Sequence, residues 1–212
     1  MAKQAVRQTE KMNDVPAPGF RRRLGNNVTR GVVQLLAKTP VTPNMISWFG
    51  LVLTLAAASL VITERLAIAG IMVIVAGFFD MLDGALARTT NQVSKFGGIL
   101  DSSLDRISEA ILLLSLLPFY AGRQDMTGVW AVGLALLGSY MVSYIRARAE
   151  GAGIDCEVGV FARPERVITL ALGLLLATVN TVFLTAALGI IIFFSFISAG
   201  QRLHHSWTES KK

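Results

Sequence analysis

Six predominantly apolar stretches, residues 44–63, 67–87, 97–120, 128–147, 165–181 and 183–200, dictate what this 212-residue chain can become. Each is close to the length an α-helix needs to cross the hydrocarbon of a bilayer. In that medium every backbone amide must find its partner within the chain, so such segments are helices. With 53% hydrophobic residues, the chain is too apolar for an ordinary soluble domain. The expected fold is an all-α integral membrane protein of six transmembrane helices. The last two are separated by a tight turn near Asn180 and Thr181.

The flanks read differently. Residues 1–18 are polar and are expected to form a disordered lead. Residues 19–40 place Val28, Val32, Val33, Leu35 and Leu36 against Arg21, Arg22, Arg23, Arg30 and Lys38. That pattern predicts an amphipathic helix lying on the membrane surface. Residues 41–203 form the membrane domain, and 204–212 are expected to be a cytoplasmic tail. The first forty residues contain no apolar h-region, so the spans themselves are expected to direct insertion.

Charge orients the bundle. Lysine and arginine crowd the N-terminal segment, the connections after spans 2 and 4, and the C-terminus, whereas the opposite side holds Arg65 and Arg123. The positive-inside rule therefore places both termini in the cytoplasm of a multi-pass cell-membrane protein. The net charge of +6 suits membrane lipids better than nucleic acid, because the basic residues flank apolar spans with little aromatic interleaving.

Against this background, four aspartates demand an explanation. Asp80 and Asp83 close span 2, and Asp101 and Asp105 open span 3. Spacings of three and four put each pair on one helix face. Helix capping, or pairing with Arg88 and Arg106, accounts for one or two acids but not for four within apolar spans, where ionisable groups are functional by default. Divalent cations would relieve their mutual repulsion. The only cysteine is Cys156 and the only histidines are His204 and His205, so a metal would be held by oxygen, which favours Mg²⁺, Mn²⁺ or Ca²⁺ over zinc. Paired carboxylate-bound metals suit displacement at phosphorus. Gly84, Ala87, Gly97 and Gly98 remove bulk beside the acids, Arg88 can grip phosphate, and Ser94 and Lys95 share the connecting loop.

Written out, the run is Asp80-x-x-Asp83-Gly84-x-x-Ala87-Arg88, eight residues, then Gly97-x-x-x-Asp101-x-x-x-Asp105. It resembles the signature of the CDP-alcohol phosphotransferases, and the likeness extends to "TPNMIS" at the head of span 1. The resemblance implies a homodimer that uses Mg²⁺ or Mn²⁺, with two ions per site, to displace CMP from a CDP-linked lipid such as CDP-diacylglycerol. Asp80, Asp83 and Asp101 would ligate metal, and Asp105 would be both ligand and general base. Thr42, Pro43, Asn44, Met45, Gly84, Arg88 and Ser94 would hold the CDP-lipid. Thr42 and Pro43 equally suit a plain helix start, as cap and first-turn proline. Ser47 stands where many relatives carry threonine, which keeps the hydroxyl.

The second half addresses the acceptor. Ser143, Arg146 and Arg148 end span 4, Arg163 and Arg166 open span 5, and Arg202 follows span 6. Any one of these cations can be an interfacial anchor; as a set they suggest a pocket for a second phosphate. "SYIRARAE" and "RPER" are similar to segments of the phosphatidylinositol-phosphate synthases, which implies inositol 1-phosphate as acceptor, bound by Ser143, Arg146, Arg163, Arg166 and Arg202. Glycerol 3-phosphate is the alternative. Glu109 is expected to pair with Arg106 or to support Asp105, and Cys156 has no assigned role. Two non-enzyme readings, a divalent-cation channel or transporter and an inactive scaffold, fit less well: Arg88 would repel a permeating cation, and the acids are intact.

Overall fold

The computed structural model describes residues 31–211, so the expected lead, and Arg21, Arg22, Arg23, Val28 and Arg30 of the expected surface helix, lie outside the described residues. Residues 31–36 are helical, and Val33 is buried against Ile46, Leu82 and Leu86. The described part of the surface helix therefore docks on the bundle rather than only on lipid.

Six helices follow: α1 (Pro43–Ile62), α2 (Leu66–Thr89), α3 (Lys95–Gly122), α4 (Met126–Gly151), α5 (Arg163–Leu176) and α6 (Val182–Glu209). Short polar side chains start three of them. Thr42, Ser94 and Asp125 accept from the backbone N–H of Met45, Gly97 and Gly128, satisfying donors that a first turn leaves open. Pro43 supplies the preset backbone angle at the head of α1. Left-handed residues mark the tight connections: Glu64 between α1 and α2, Asn91 between α2 and α3, Gln124 between α3 and α4.

Helices α1, α2, α4 and α6 are long and apolar enough to cross a membrane. The other two depart from expectation for different reasons. Helix α3 runs for 28 residues but carries Asp101, Asp105, Arg106 and Glu109 through its first half, which breaks its apolar character. Helix α5 has only 14 residues and ends at Leu176, five short of the predicted limit at 181; at 1.5 Å per residue it is about 21 Å long. The expected tail is also largely helix, since α6 continues to Glu209 and carries His204, His205 and Trp207 in its last turns.

Helix α1 packs on α2 and α3, α2 on α5, α5 on α6, α6 on α4, and α4 on α3. The main core lies between them, with Val61, Val73, Leu116, Tyr120, Val132, Leu174 and Leu188 almost fully buried. Small residues set the spacing, as where bulk rather than hydrophobicity limits helix approach in lipid. A Cβ at Gly70 of α2 would lie 2.9 Å from the Ala171 carbonyl oxygen of α5, and one at Gly173 would lie 2.6 Å from the Ala187 Cβ of α6. Gly70→Val is therefore expected to push α2 and α5 apart, costing about 1–3 kcal/mol, read as a lower thermal midpoint in detergent. An unchanged midpoint would show that the pair is not tightly set.

Opposite the acids, Arg123 grips Glu64 through two 2.8 Å hydrogen bonds and lies over the Phe119 ring. These bonds hold the Glu64 carboxyl below its ordinary range. The segment between α4 and α5 is fastened by α6: Arg202 Nε donates to the Val158 carbonyl, Val160 N–H to Gln201 Oε1 and Phe161 N–H to Ser198 Oγ, while His205 Nε2 lies 3.0 Å from the Asp155 carbonyl oxygen. Cys156 is fully buried beneath this strap.

Candidate active site

The α2–α3 turn brings the four aspartates into one region. Asp80 and Asp83 project from the last turns of α2, Asp101 and Asp105 from the first turns of α3. Asp105 is within electrostatic reach of Asp101, Asp80 and Asp83. Each acid has a distinct local support. Asp83, only 4% exposed, accepts a 2.6 Å hydrogen bond from Ser47 Oγ of α1 and another from the Gly84 N–H. Asp80 leans over Gly50, where a Cβ would come within 2.7 Å of its Oδ1; glycine leaves the carboxylate its room.

A cation bridges the two helices. Arg163, the first residue of α5, places one guanidinium nitrogen 2.7 Å from Asp80 Oδ2 and another 2.6 Å from Asp105 Oδ1. Arg163 was expected at the acceptor site; its guanidinium lies between two of the acids, and the residue also lines a cavity beside them. Among the described residues, no three acidic, histidine or cysteine side chains gather closely enough to hold a metal in this conformation. The donor set nonetheless fits a hard divalent ion. It offers only carboxylate oxygens, on facing helices, with a positive group already drawn between two of them.

Beside Asp101 and Asp105 opens a cavity of about 700 Å³ between α3, α4, α5 and α6. Ser143, Arg146, Arg163, Arg166 and Arg202 all line it, so the residues expected at the acceptor site share one wall with two of the acids. They are not equally available. Arg146 pairs with Glu150 at 2.7 Å near the surface. Arg202 is buried and directs Nε to Val158 O and Nη1 to Val142 O, so much of its guanidinium tethers the backbone. Arg166 is 2% exposed and meets Glu109 through two hydrogen bonds of 2.6 and 2.9 Å. Glu109 thus pairs with neither Arg106 nor Asp105; Arg106 instead donates to the Ser102 carbonyl.

The residues expected to hold the CDP-lipid sit at the head of α1, the end of α2 and the head of α3. Thr42 and Ser94 act as helix caps. A Cβ at Gly97 would touch Ser94 Oγ at 2.9 Å and Asn44 Oδ1 at 3.6 Å, so the heads of α1 and α3 meet there. Arg88 reaches back along α2, its Nη1 3.4 Å from where a Gly84 Cβ would stand. Met45 and Arg88 are exposed. None of these residues lines the large cavity.

Sequence reasoning left two contributors without their roles. Ser47 signalled only that a hydroxyl sits in an apolar helix. Glu109 continues the stripe Asp101–Asp105 at the same spacing, a signal for a functional face, but its partner is 57 residues away.

Comparisons with known proteins bear on the chain as a whole. Residues 40–197 match the family model for CDP-alcohol phosphatidyltransferase. The archaetidylinositol phosphate synthase of Pyrococcus horikoshii is 42% identical over 160 residues, covering 74% of this chain and 82% of the relative. The phosphatidylinositol phosphate synthase of Mycobacterium marinum is 32% identical over 198 residues, covering 91% and 85%. Among solved structures, the Mycobacterium tuberculosis phosphatidylinositol phosphate synthase in complex with manganese and citrate superposes with a TM-score of 0.77 at 32% identity, covering 85% of this chain and 89% of that one. The same enzyme with CDP-DAG bound gives 0.74 at 31%, covering 88% and 94%.

Proposed function

The chain belongs to the CDP-alcohol phosphatidyltransferase family and is a phospholipid-synthesising membrane transferase of the phosphatidylinositol-phosphate-synthase kind; we propose that it transfers the phosphatidyl group, or an ether-linked counterpart, from a CDP-linked lipid to inositol 1-phosphate, releasing CMP. The observation that carries this reading is the shared wall of the large cavity, where Asp101 and Asp105 stand beside Ser143, Arg146, Arg163, Arg166 and Arg202. An acceptor that already bears a phosphate needs cations of its own next to the reacting centre. Serine or another uncharged alcohol would not.

In this reading Asp80, Asp83, Asp101 and Asp105 hold one or two Mg²⁺ or Mn²⁺ ions. When bound, these supply positive charge to the pyrophosphate and to the departing CMP. Thr42, Pro43, Asn44, Met45, Gly84, Arg88 and Ser94 hold the CDP-lipid. Ser143 and the arginines seat the acceptor phosphate. Asp105 takes the proton from the acceptor hydroxyl, whose oxygen forms a bond to the lipid-side phosphorus as the bond from that phosphorus to the CMP oxygen breaks. CMP leaves with the bonding pair, and the proton stays on Asp105.

The same reading has all six helices lodged in the cell membrane, α3 and α5 shielded by their neighbours, and both termini and the site facing the cytoplasm. It takes the working unit to be a homodimer. Purified protein given CDP-diacylglycerol, Mg²⁺ and inositol 1-phosphate should release CMP. Turnover with glycerol 3-phosphate alone would replace the acceptor assignment, and no turnover with any phosphorylated polyol would overturn the reading.

A further inference from the structure

Arg166 is the most deeply buried of the cations around the large cavity, and its bonding is incomplete. Two of its nitrogens, Nε and Nη2, face the two oxygens of Glu109 at 2.6 and 2.9 Å. The third, Nη1, is buried with no hydrogen-bond partner in the protein. Both residues belong to the cavity wall, and both are more than nine-tenths buried. A buried donor without a partner is costly, and here the residue that bears it lines a space large enough for a small polyol phosphate.

We propose that Glu109 is a positioning residue for the acceptor: it fixes the Arg166 guanidinium through two of its nitrogens so that Nη1 takes a phosphate oxygen of the bound polyol phosphate. The proposal rests on the acceptor reading given above. A carboxylate meeting two nitrogens of one guanidinium sets both its plane and its rotation, which a single contact would not. The entropy of ordering a long side chain is thereby met before the acceptor arrives. Charge argues the same way. Glu109 neutralises Arg166 in the empty site, so the arginine can wait in a dry wall, yet the donors left over still select an oxygen-rich anion. Arg146 and Arg163 nearby favour an anion over a neutral alcohol. Helices α3 and α5 are bridged here by ion pairs, Glu109–Arg166 and Asp105–Arg163, so the geometry of the wall depends on these contacts.

The alternative is a staple that only joins α3 to α5, and the two roles separate kinetically. In Glu109→Gln the side chain keeps its size, but one carboxylate oxygen becomes an amide donor facing a guanidinium donor. The KM for inositol 1-phosphate should rise about tenfold or more, the effect of losing one charge-assisted hydrogen bond, while the KM for CDP-diacylglycerol stays unchanged and kcat holds. Arg166→Lys should give the same selective rise, and the double variant should be no worse than either single one, because both act through one contact. Glu109→Asp, which keeps the charge, should recover part of the acceptor affinity.

If Glu109→Gln fails to fold, Glu109→Leu/Arg166→Leu leaves no charge stranded and reports in its place. A selective rise in acceptor KM supports the proposal. A fall in kcat with both KM values unchanged, or equal changes for both substrates, overturns it. A wild-type protein that uses no phosphorylated polyol overturns the proposal together with the acceptor reading; one that does, with a variant KM unmoved, overturns the proposal alone.

Discussion

Asp105→Asn is expected to eliminate measurable CMP release, a loss of at least about a thousandfold, while the protein remains folded. Asparagine matches aspartate in shape but cannot accept the acceptor proton, and removing a positioned general base alone costs about 10²–10⁴ in rate. The same change removes one carboxylate from the four proposed to hold metal. Stability should respond much less. Arg163 would keep its 2.7 Å contact with Asp80, and an amide oxygen can still accept from the other guanidinium nitrogen. The assay is CMP release with saturating substrates, run beside thermal unfolding in detergent. Retained turnover at a tenth of the wild-type rate would move the base to another residue; a collapsed midpoint would recast Asp105 as a structural anchor.

The second large effect concerns Arg163. It serves two carboxylates at once, with its side chain 23% exposed and those of Asp80 and Asp105 each 20% exposed. Removing one member of a fully buried pair costs 3–5 kcal/mol; for this partly exposed trio about 2–3 kcal/mol is expected. Arg163→Gln should therefore lower the thermal midpoint in chelator, where two carboxylates face each other without a counter-ion. Mg²⁺ or Mn²⁺ should restore much of it, because a bound cation replaces the missing charge. Wild-type protein should lose less stability on chelation, since Arg163 already supplies a positive group. Activity should fall about a hundredfold even with metal present, because Asp80 and Asp105 lose the cation that holds them in place. An equal response to chelator in both proteins would show that Arg163 does not act as a counter-ion to the acids.

These two residues also mark how far the amino-acid sequence can be read. Asp105 was legible because helical spacing is local: positions 101 and 105 must share a face once the segment is helical. The motif around it carried the family and the aspartates, but not the clearance: among the described glycines it is Gly50 of α1, outside the motif, that leaves an acid its room, while Gly84 and Gly97 face Arg88, Ser94 and Asn44. Arg163 could be recognised as a cation at the head of a helix, but its contact with Asp80 spans 83 residues, and no local pattern encodes that. The short α5 was hidden for another reason. The apolar run continues through Ala177 and Val179, so hydropathy records a span, whereas the helix stops at Leu176. Conversely, α3 was legible as a span despite its acids, because the largely apolar run from Ile107 to Tyr120 outweighs them and the helix is full length. Ser47 fell between these cases: a serine in a span is common, and only the approach of α1 to α2 shows that its hydroxyl is aimed at Asp83.

The strap between α4 and α5 carries a different kind of consequence. Its anchors are side chains of α6 at positions 198, 201, 202 and 205, one face of that helix, and all of them reach main-chain groups. A peptide group is the same whatever residue bears it, proline excepted, which has no N–H to donate. The exposed residues of the strap, apart from Gly153 and Gly159 with their φ of 81° and 130°, are thus free to drift over evolutionary time without losing these anchors, provided the strap keeps its length. Heritable constraint is displaced onto four positions of a neighbouring helix, and a one-residue insertion in the strap would do more harm than most substitutions within it.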